Sequence, residues 1–210
     1  MAFNNFKSIG AVAQAYKLRT RNENTIIPSP TAIAPSAEFL KRLDFVLRQE
    51  LHKSSEAARC ETLIYPILLE VWQHFAETLK LWSHTPIEYD ATLTGVPDYL
   101  VAAQSEFGPS VLGKPILVAI EAKQDDFVLG WGQCAAEMVA IQKLNADAPY
   151  SIFGIVTNGE VWQFGKLESQ SLTQEMTYYG LADLPKLFGV LSFVVEECAK
   201  QVTTIHLENN

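Results

Sequence analysis

Residues 115–123 read PILVAIEAK: an unbroken apolar run from Ile116 to Ile120, closed by Glu121, Ala122 and Lys123. A continuous apolar stretch of this length suits a central strand buried on both faces rather than a half-exposed one. Side chains alternate along a strand, so Glu121 and Lys123 leave one face of the sheet together while Ala122 points to the other. Charge is costly to bury, so a carboxylate and an ammonium at the end of such a strand form either a plain ion pair or a chemical centre.

On either side of this strand the chain alternates between helical and strand patterns. DYLVAA (98–103) and IEYDATL (87–93) read as two preceding strands, and GWGQCAAEMVAIQKL (130–144) as a following helix. Residues 150–157 and 160–164, joined by Asn158-Gly159, predict a hairpin, because Asn-Gly is the strongest two-residue turn signal. A last helix is expected over roughly 184–201. Before the strands, Ser54 or Ser55 caps a helix expected to run from there to Trp82, kinked or restarted at Pro66, with Leu63, Ile64, Ile67, Leu68, Val71 and Phe75 as its apolar stripe. A further helix starts at Ser36 and ends by Lys53. Residues 22–35, with Pro28, Pro30 and Pro35, read as a loop, and 8–18 as a short helix. The order is helix, three strands, helix, two strands, helix: an α/β fold with a mixed central sheet flanked by helices. Residues 1–53 are expected to be an N-terminal helical extension with a proline-containing loop, and 54–210 the core.

The chain has 210 residues, 48% of them apolar and 19% charged, ample for a hydrophobic core. Cys60, Cys134 and Cys198 lie far apart with no CxxC pair, so neither a zinc ribbon nor a disulfide framework is indicated, and they read as core residues in a reducing compartment, the cytoplasm. No apolar run approaches the roughly 20 residues that span a bilayer, so no membrane partner is expected. The net charge of −8 opposes nucleic-acid binding, although a carboxylate centre that takes up Mg²⁺ would account for part of it. Local positive charge gathers near the N-terminus, in Lys7, Lys17, Arg19 and Arg21.

Gly95-Val96-Pro97-Asp98 opens the strand before the central one, and Pro97 favours a strand start or bend that can aim Asp98 at the neighbouring strand end. Asp98, Glu121 and Lys123 then offer two hard oxygen ligands for Mg²⁺ or Mn²⁺ and a cation that positions water or stabilises charge on phosphorus. Other chemistry finds less support. His52, His74, His84 and His206 show no ligand spacing, and no serine sits in a nucleophile elbow. Gly130-Trp131-Gly132 is no phosphate loop, and Trp131, Trp162 and Phe164 read as core aromatics. Asp125-Asp126 reads as loop or helix-N-terminal charge.

Pro97-Asp98 followed by Glu121-Ala122-Lys123 resembles the motif of the PD-(D/E)XK nuclease superfamily. IVTNGEVWQFGKL (155–167) is similar to the TNG-x-x-W hairpin of domains related to the N-terminal nuclease region of type I restriction motor subunits. The resemblance covers roughly residues 56–166. It implies a restriction-endonuclease-like fold, with Asp98, Glu121 and the Ala122 carbonyl as metal ligands, Lys123 as the water-positioning cation and Gln133 as an auxiliary. It also implies an acid from the helix before the sheet. Glu61 flanks the apolar stripe closely, Glu56 flanks its other side and Glu70 lies nearer solvent, so Glu61 is the choice. The expected activity is metal-dependent phosphodiester hydrolysis, in DNA, by a protein whose cleavage of both strands would favour a homodimer. The alternative is a non-catalytic binding module that keeps the fold.

Overall fold

The computed structural model describes residues 2–24, 26–28, 30–146 and 149–208, the side chains of 205–208 excepted; His206 therefore lies outside the described side chains. In chain order the elements are α1 (Ile9–Tyr16), β1 (Arg19–Glu23), α2 (Ala37–Arg48), α3 (Glu56–Arg59), α4 (Tyr65–Trp72), β2 (Leu79–Ser83), β3 (Ile87–Glu88), β4 (Thr94–Gly95), β5 (Tyr99–Ala103), β6 (Ile116–Ala122), α5 (Phe127–Leu144), β7 (Ile152–Thr157), β8 (Val161–Glu168), β9 (Ser171–Glu175), β10 (Tyr179–Gly180) and α6 (Leu184–Glu208).

Among these residues eight strands form one mixed sheet in the order β1-β9-β8-β7-β6-β5-β2, with β10 beside β8. The central strand β6 pairs antiparallel with β5 and parallel with β7. The parallel pair requires a crossover, which α5 supplies across one face of the sheet. Leu117, Val118, Ile120 and Ala122 belong to the core beneath α4 and α6, and Ile116 and Ala119 to the core beneath α5. Burial on both faces explains why β6 has no polar residue before Glu121.

Local signals place most helix starts. The hydroxyls of Ser8, Ser36 and Ser55 accept the N–H of the residue three positions on, and Asp126 does the same for Leu129 at the start of α5. Pro66 lacks an N–H and cannot close an α-turn onto the preceding residues. The chain answers with a π-turn over Cys60–Ile64, in which the Tyr65 N–H reaches the Cys60 carbonyl, and α3 and α4 continue through it. In the β7–β8 hairpin, Asn158 Oδ1 accepts the N–H groups of Glu160 and Val161. Gly159, at φ +84°, carries no side chain because a Cβ there would meet Leu63 Cδ2 at 2.6 Å.

Four expectations are corrected. The helix expected to run to Trp82 ends at Trp72, and residues 79–83 pair as the edge strand β2 with β5. The Trp72 indole N–H donates to the Leu79 carbonyl at 2.9 Å and holds the reversal. IEYDATL does not form one strand, because Asp90 Oδ1 accepts the N–H groups of Thr92 and Leu93 and turns the chain between β3 and β4. Strands β9 and β10 arise where none was expected. Finally, residues 1–53 are built into the fold rather than appended to it: β1 extends the sheet parallel to β9, Phe3 and Val12 enter the α5-side core, and Ile26, Ile27, Phe39 and Leu43 enter the other. Trp131, Trp162 and Phe164 are buried, as are the three cysteines, all unpaired. Among the described residues no helix is long and apolar enough to cross a membrane.

Candidate active site

The end of β6, the start of β5 and the first turns of α5 meet at one place. Glu121 faces α5 from β6 and is 5% exposed, while Lys123, just past the strand, turns back so that its Nζ lies 2.7 Å from Glu121 Oε1. Pro97 is buried at the entry to β5, and the bend there carries Asp98 to β6: its Oδ2 accepts the Ala122 N–H at 2.7 Å, and its backbone carbonyl accepts the His84 N–H at 2.9 Å. The two acids and the lysine that the sequence set on neighbouring strands therefore converge. The Lys123 N–H binds the Thr157 carbonyl of β7 at 2.9 Å, which fixes the backbone at the strand end.

The helix contributes two groups that matter here. Gly130 leaves room for Lys123, since a Cβ at that position would lie 2.9 Å from Lys123 Cγ and 2.7 Å from Val156 Cγ1. Seven residues on, and so on the same helix face, Glu137 is buried and hydrogen-bonded to Glu121. Burial and the charges of Glu121 and Asp98 hold the Glu137 carboxyl well above the usual range, so it keeps its proton and donates to Glu121. Glu137 was not among the sequence candidates. The available signal was its position two turns after Gly130, as the one acidic residue of a mostly apolar helix.

Burial likewise pushes Glu121 up, to about 7, and the Asp98 charge adds to the effect; Lys123 and the Glu137 hydrogen bond pull the other way without winning. Burial raises Asp98 too, against the Ala122 N–H, Lys123 and His84, which pull it down. Burial alone would lower Lys123, but Glu121, Asp98 and Glu56 raise it above its ordinary value. One ammonium thus faces more negative charge than it can neutralise, and a dication is the ion that would relieve the excess.

The remaining candidates fall elsewhere. Gln133, buried on α5, directs its Nε2 to Asn4 Oδ1 of the N-terminal turn, and its Oε1 has no hydrogen-bond partner; the α5 group that reaches Glu121 is Glu137. Of the three helical acids, Glu56 is the one whose charge acts on Asp98 and Lys123. Glu61 is exposed and lines an adjoining cleft, and Glu70 accepts the Ser36 N–H at 3.0 Å, tying α4 to the start of α2. His84, set aside in the sequence, places Nε2 3.6 Å from Asp98 Oδ1.

Among the described residues no three His, Cys, Asp or Glu side chains gather as a metal cage. Mg²⁺ does not need one, because it keeps several waters and commonly takes one or two carboxylates together with substrate phosphate oxygens. Asp98, Glu121 and the Ala122 carbonyl are hard oxygen donors of that type. No protein-family model and no curated protein matches the chain.

Proposed function

We propose that the chain is a Mg²⁺- or Mn²⁺-dependent nuclease that hydrolyses phosphodiester bonds in DNA, on a restriction-endonuclease-like core. The observation that carries this reading is the convergence of Asp98, Glu121 and Lys123 at the ends of β5 and β6, with burial holding Glu121 near 7 beside its own counter-ion.

In this reading Asp98, Glu121 and the Ala122 carbonyl hold the dication, which when bound supplies Lewis-acid activation and neutralises charge on the phosphate. Lys123 orients the attacking water or meets charge developing on the phosphate oxygens. Glu137 fixes the Glu121 carboxylate from behind, and Asp98 is fixed by the Ala122 N–H, so both acids are positioned before substrate arrives. The buried free cysteines fit a cytoplasmic protein, and two-strand cleavage would call for a homodimer.

A non-catalytic binding module is the second reading, favoured by the net charge of −8. Cleavage of single-stranded, duplex and branched DNA with Mg²⁺ and Mn²⁺ separates the two. Wild type is expected to cleave at least one of these substrates, and Asp98→Asn, Glu121→Gln and Lys123→Ala to lose activity by about a hundredfold or more. Folded variants that cleave as wild type does would refute the assigned centre, and a wild type inert on all three substrates would favour the binding module.

A further inference from the structure

Beside Asp98 lies a cleft of about 370 Å³ that the centre described above does not use, lined by Cys60, Glu61, Tyr65, Ser83, His84 and Tyr99. We propose that this cleft receives one unpaired nucleobase next to the scissile phosphate, which makes the substrate single-stranded DNA or a frayed strand end. The inference rests on the nuclease reading and adds the substrate class to it.

The walls of the cleft are aromatic. Tyr65 and Tyr99 stack with ring centroids 6.1 Å apart and planes at 25°, and the His84 ring stands edge-on to Tyr99 at 5.9 Å. Tyr99 is buried, its hydroxyl donating to the Cys60 carbonyl, so it is a fixed base for the stack. Tyr65 is 37% exposed, and its outer surface is open to a further ring. The π-turn contributes to this arrangement: its hydrogen bond ties the Tyr65 N–H to the Cys60 carbonyl, and both residues line the cleft.

The polar groups of the cleft select among ligands. Glu61 places a carboxylate at the rim and Glu56 adds negative charge nearby, so the cleft repels phosphate and favours an uncharged ring bearing N–H donors. The amino groups of adenine, cytosine and guanine are such donors; thymine has only its ring N–H. The Ser83 hydroxyl lies 2.8 Å from His84 Nδ1 and fixes the imidazole, whose Nε2 faces Asp98 Oδ1 at 3.6 Å. His84 thus stands where the cleft meets the carboxylate centre, at φ +49°, in the left-handed region that non-glycine residues seldom occupy. The volume is near the lower end of the roughly 300–1,000 Å³ typical of ligand sites, room for one nucleoside and not for a duplex groove. A stacked base is held by its ring face, which a paired base inside a helix does not offer.

The test uses the full chain with Ca²⁺ in place of Mg²⁺ and short single strands carrying one 2-aminopurine, with the same sequence as a duplex for comparison. The expected result is quenching of 2-aminopurine on binding, a preference for the single strand, and a loss of affinity of roughly five- to a hundredfold in Tyr65→Leu but not in Tyr65→Trp. Glu61→Ala, a change at an exposed position, should abolish the preference for the other bases over thymine. If folded Tyr65→Leu and Glu61→Ala proteins bind as wild type does, or if duplex binds as well as single strand, the cleft assignment is overturned, whereas Mg²⁺-dependent cleavage lost in Asp98→Asn would still uphold the nuclease. Conversely, Tyr65-dependent binding by a protein that cleaves nothing would support the base cleft and refute the nuclease reading.

Discussion

Replacing Glu121 by Gln removes a negative charge from a site that lacks the positive charge to hold it. Burial and Asp98 raise Glu121 from its ordinary 4.5 to about 7, and each unit is worth about 1.4 kcal/mol. Between those two values the folded protein keeps a proton that the unfolded chain has released, so stability falls as pH rises through this window. Above it, keeping Glu121 ionised costs the fold about 3 kcal/mol. Gln does not titrate. From about pH 4 to about pH 8 the stability of Glu121→Gln relative to wild type should therefore improve by about 3 kcal/mol in EDTA. Lys123 is not left without a counter-charge in the variant, because Asp98 and Glu56 still act on it. Wild type should gain stability from Mg²⁺, about 2.7 kcal/mol at a hundredfold excess over Kd, and the variant should lose that gain. Urea unfolding followed by tryptophan fluorescence, at several pH values with EDTA and with Mg²⁺, measures all of this. If Glu121 were simply half of a buried ion pair, Glu121→Gln would lose about 3–5 kcal/mol, and the deficit would not shrink as pH rises. That result, with no effect of Mg²⁺ on wild type, would refute the reasoning.

Two further outcomes are expected. Gly130→Ala forces a methyl group against Val156 and the Lys123 stem, so it should cost about 1–3 kcal/mol in urea unfolding and reduce cleavage by displacing the lysine; full activity would show that Lys123 does not depend on this contact. Deleting residues 1–21 would remove core residues Phe3 and Val12 and most of β1, so the role of the exposed Lys7, Lys17, Arg19 and Arg21 is better tested one alanine at a time. Arg19 and Arg21 lie four strands from β6, about 19 Å away, within reach of DNA that extends beyond the cleavage point. Each residue that meets a phosphate should flatten the logarithmic salt dependence of binding by about one unit; unchanged slopes would exclude this edge from the interface.

Local chemistry was enough to read much of this chain. The apolar run of β6, the β7–β8 hairpin and the capping residues Ser36 and Ser55 each depend on near neighbours in sequence, and each is in place, although the hairpin turns one residue later than Asn158-Gly159 predicts, with Thr157 opposite Trp162. The shared face of Glu121 and Lys123 follows from strand alternation, and the approach of Asp98 from the Pro97 bend. What escaped the sequence depends on pairing between distant segments. Strand β1, Arg-Thr-Arg-Asn-Glu, has no apolar residue to mark it and exists because β9 offers it a parallel edge. Residues 79–83 could extend a helix as far as periodicity shows, but the open edge of β5 makes them a strand. The same holds within the site. Glu137 becomes a partner of Glu121 only because the crossover lays α5 on β6, and that Glu56 rather than Glu61 acts on Asp98 depends on how the helix before the sheet is seated. Sequence determined which residue types could carry phosphodiester chemistry and on which strands they stand. Tertiary structure decided how much charge was left unbalanced there, because desolvation and Coulomb terms depend on distances that no local pattern specifies.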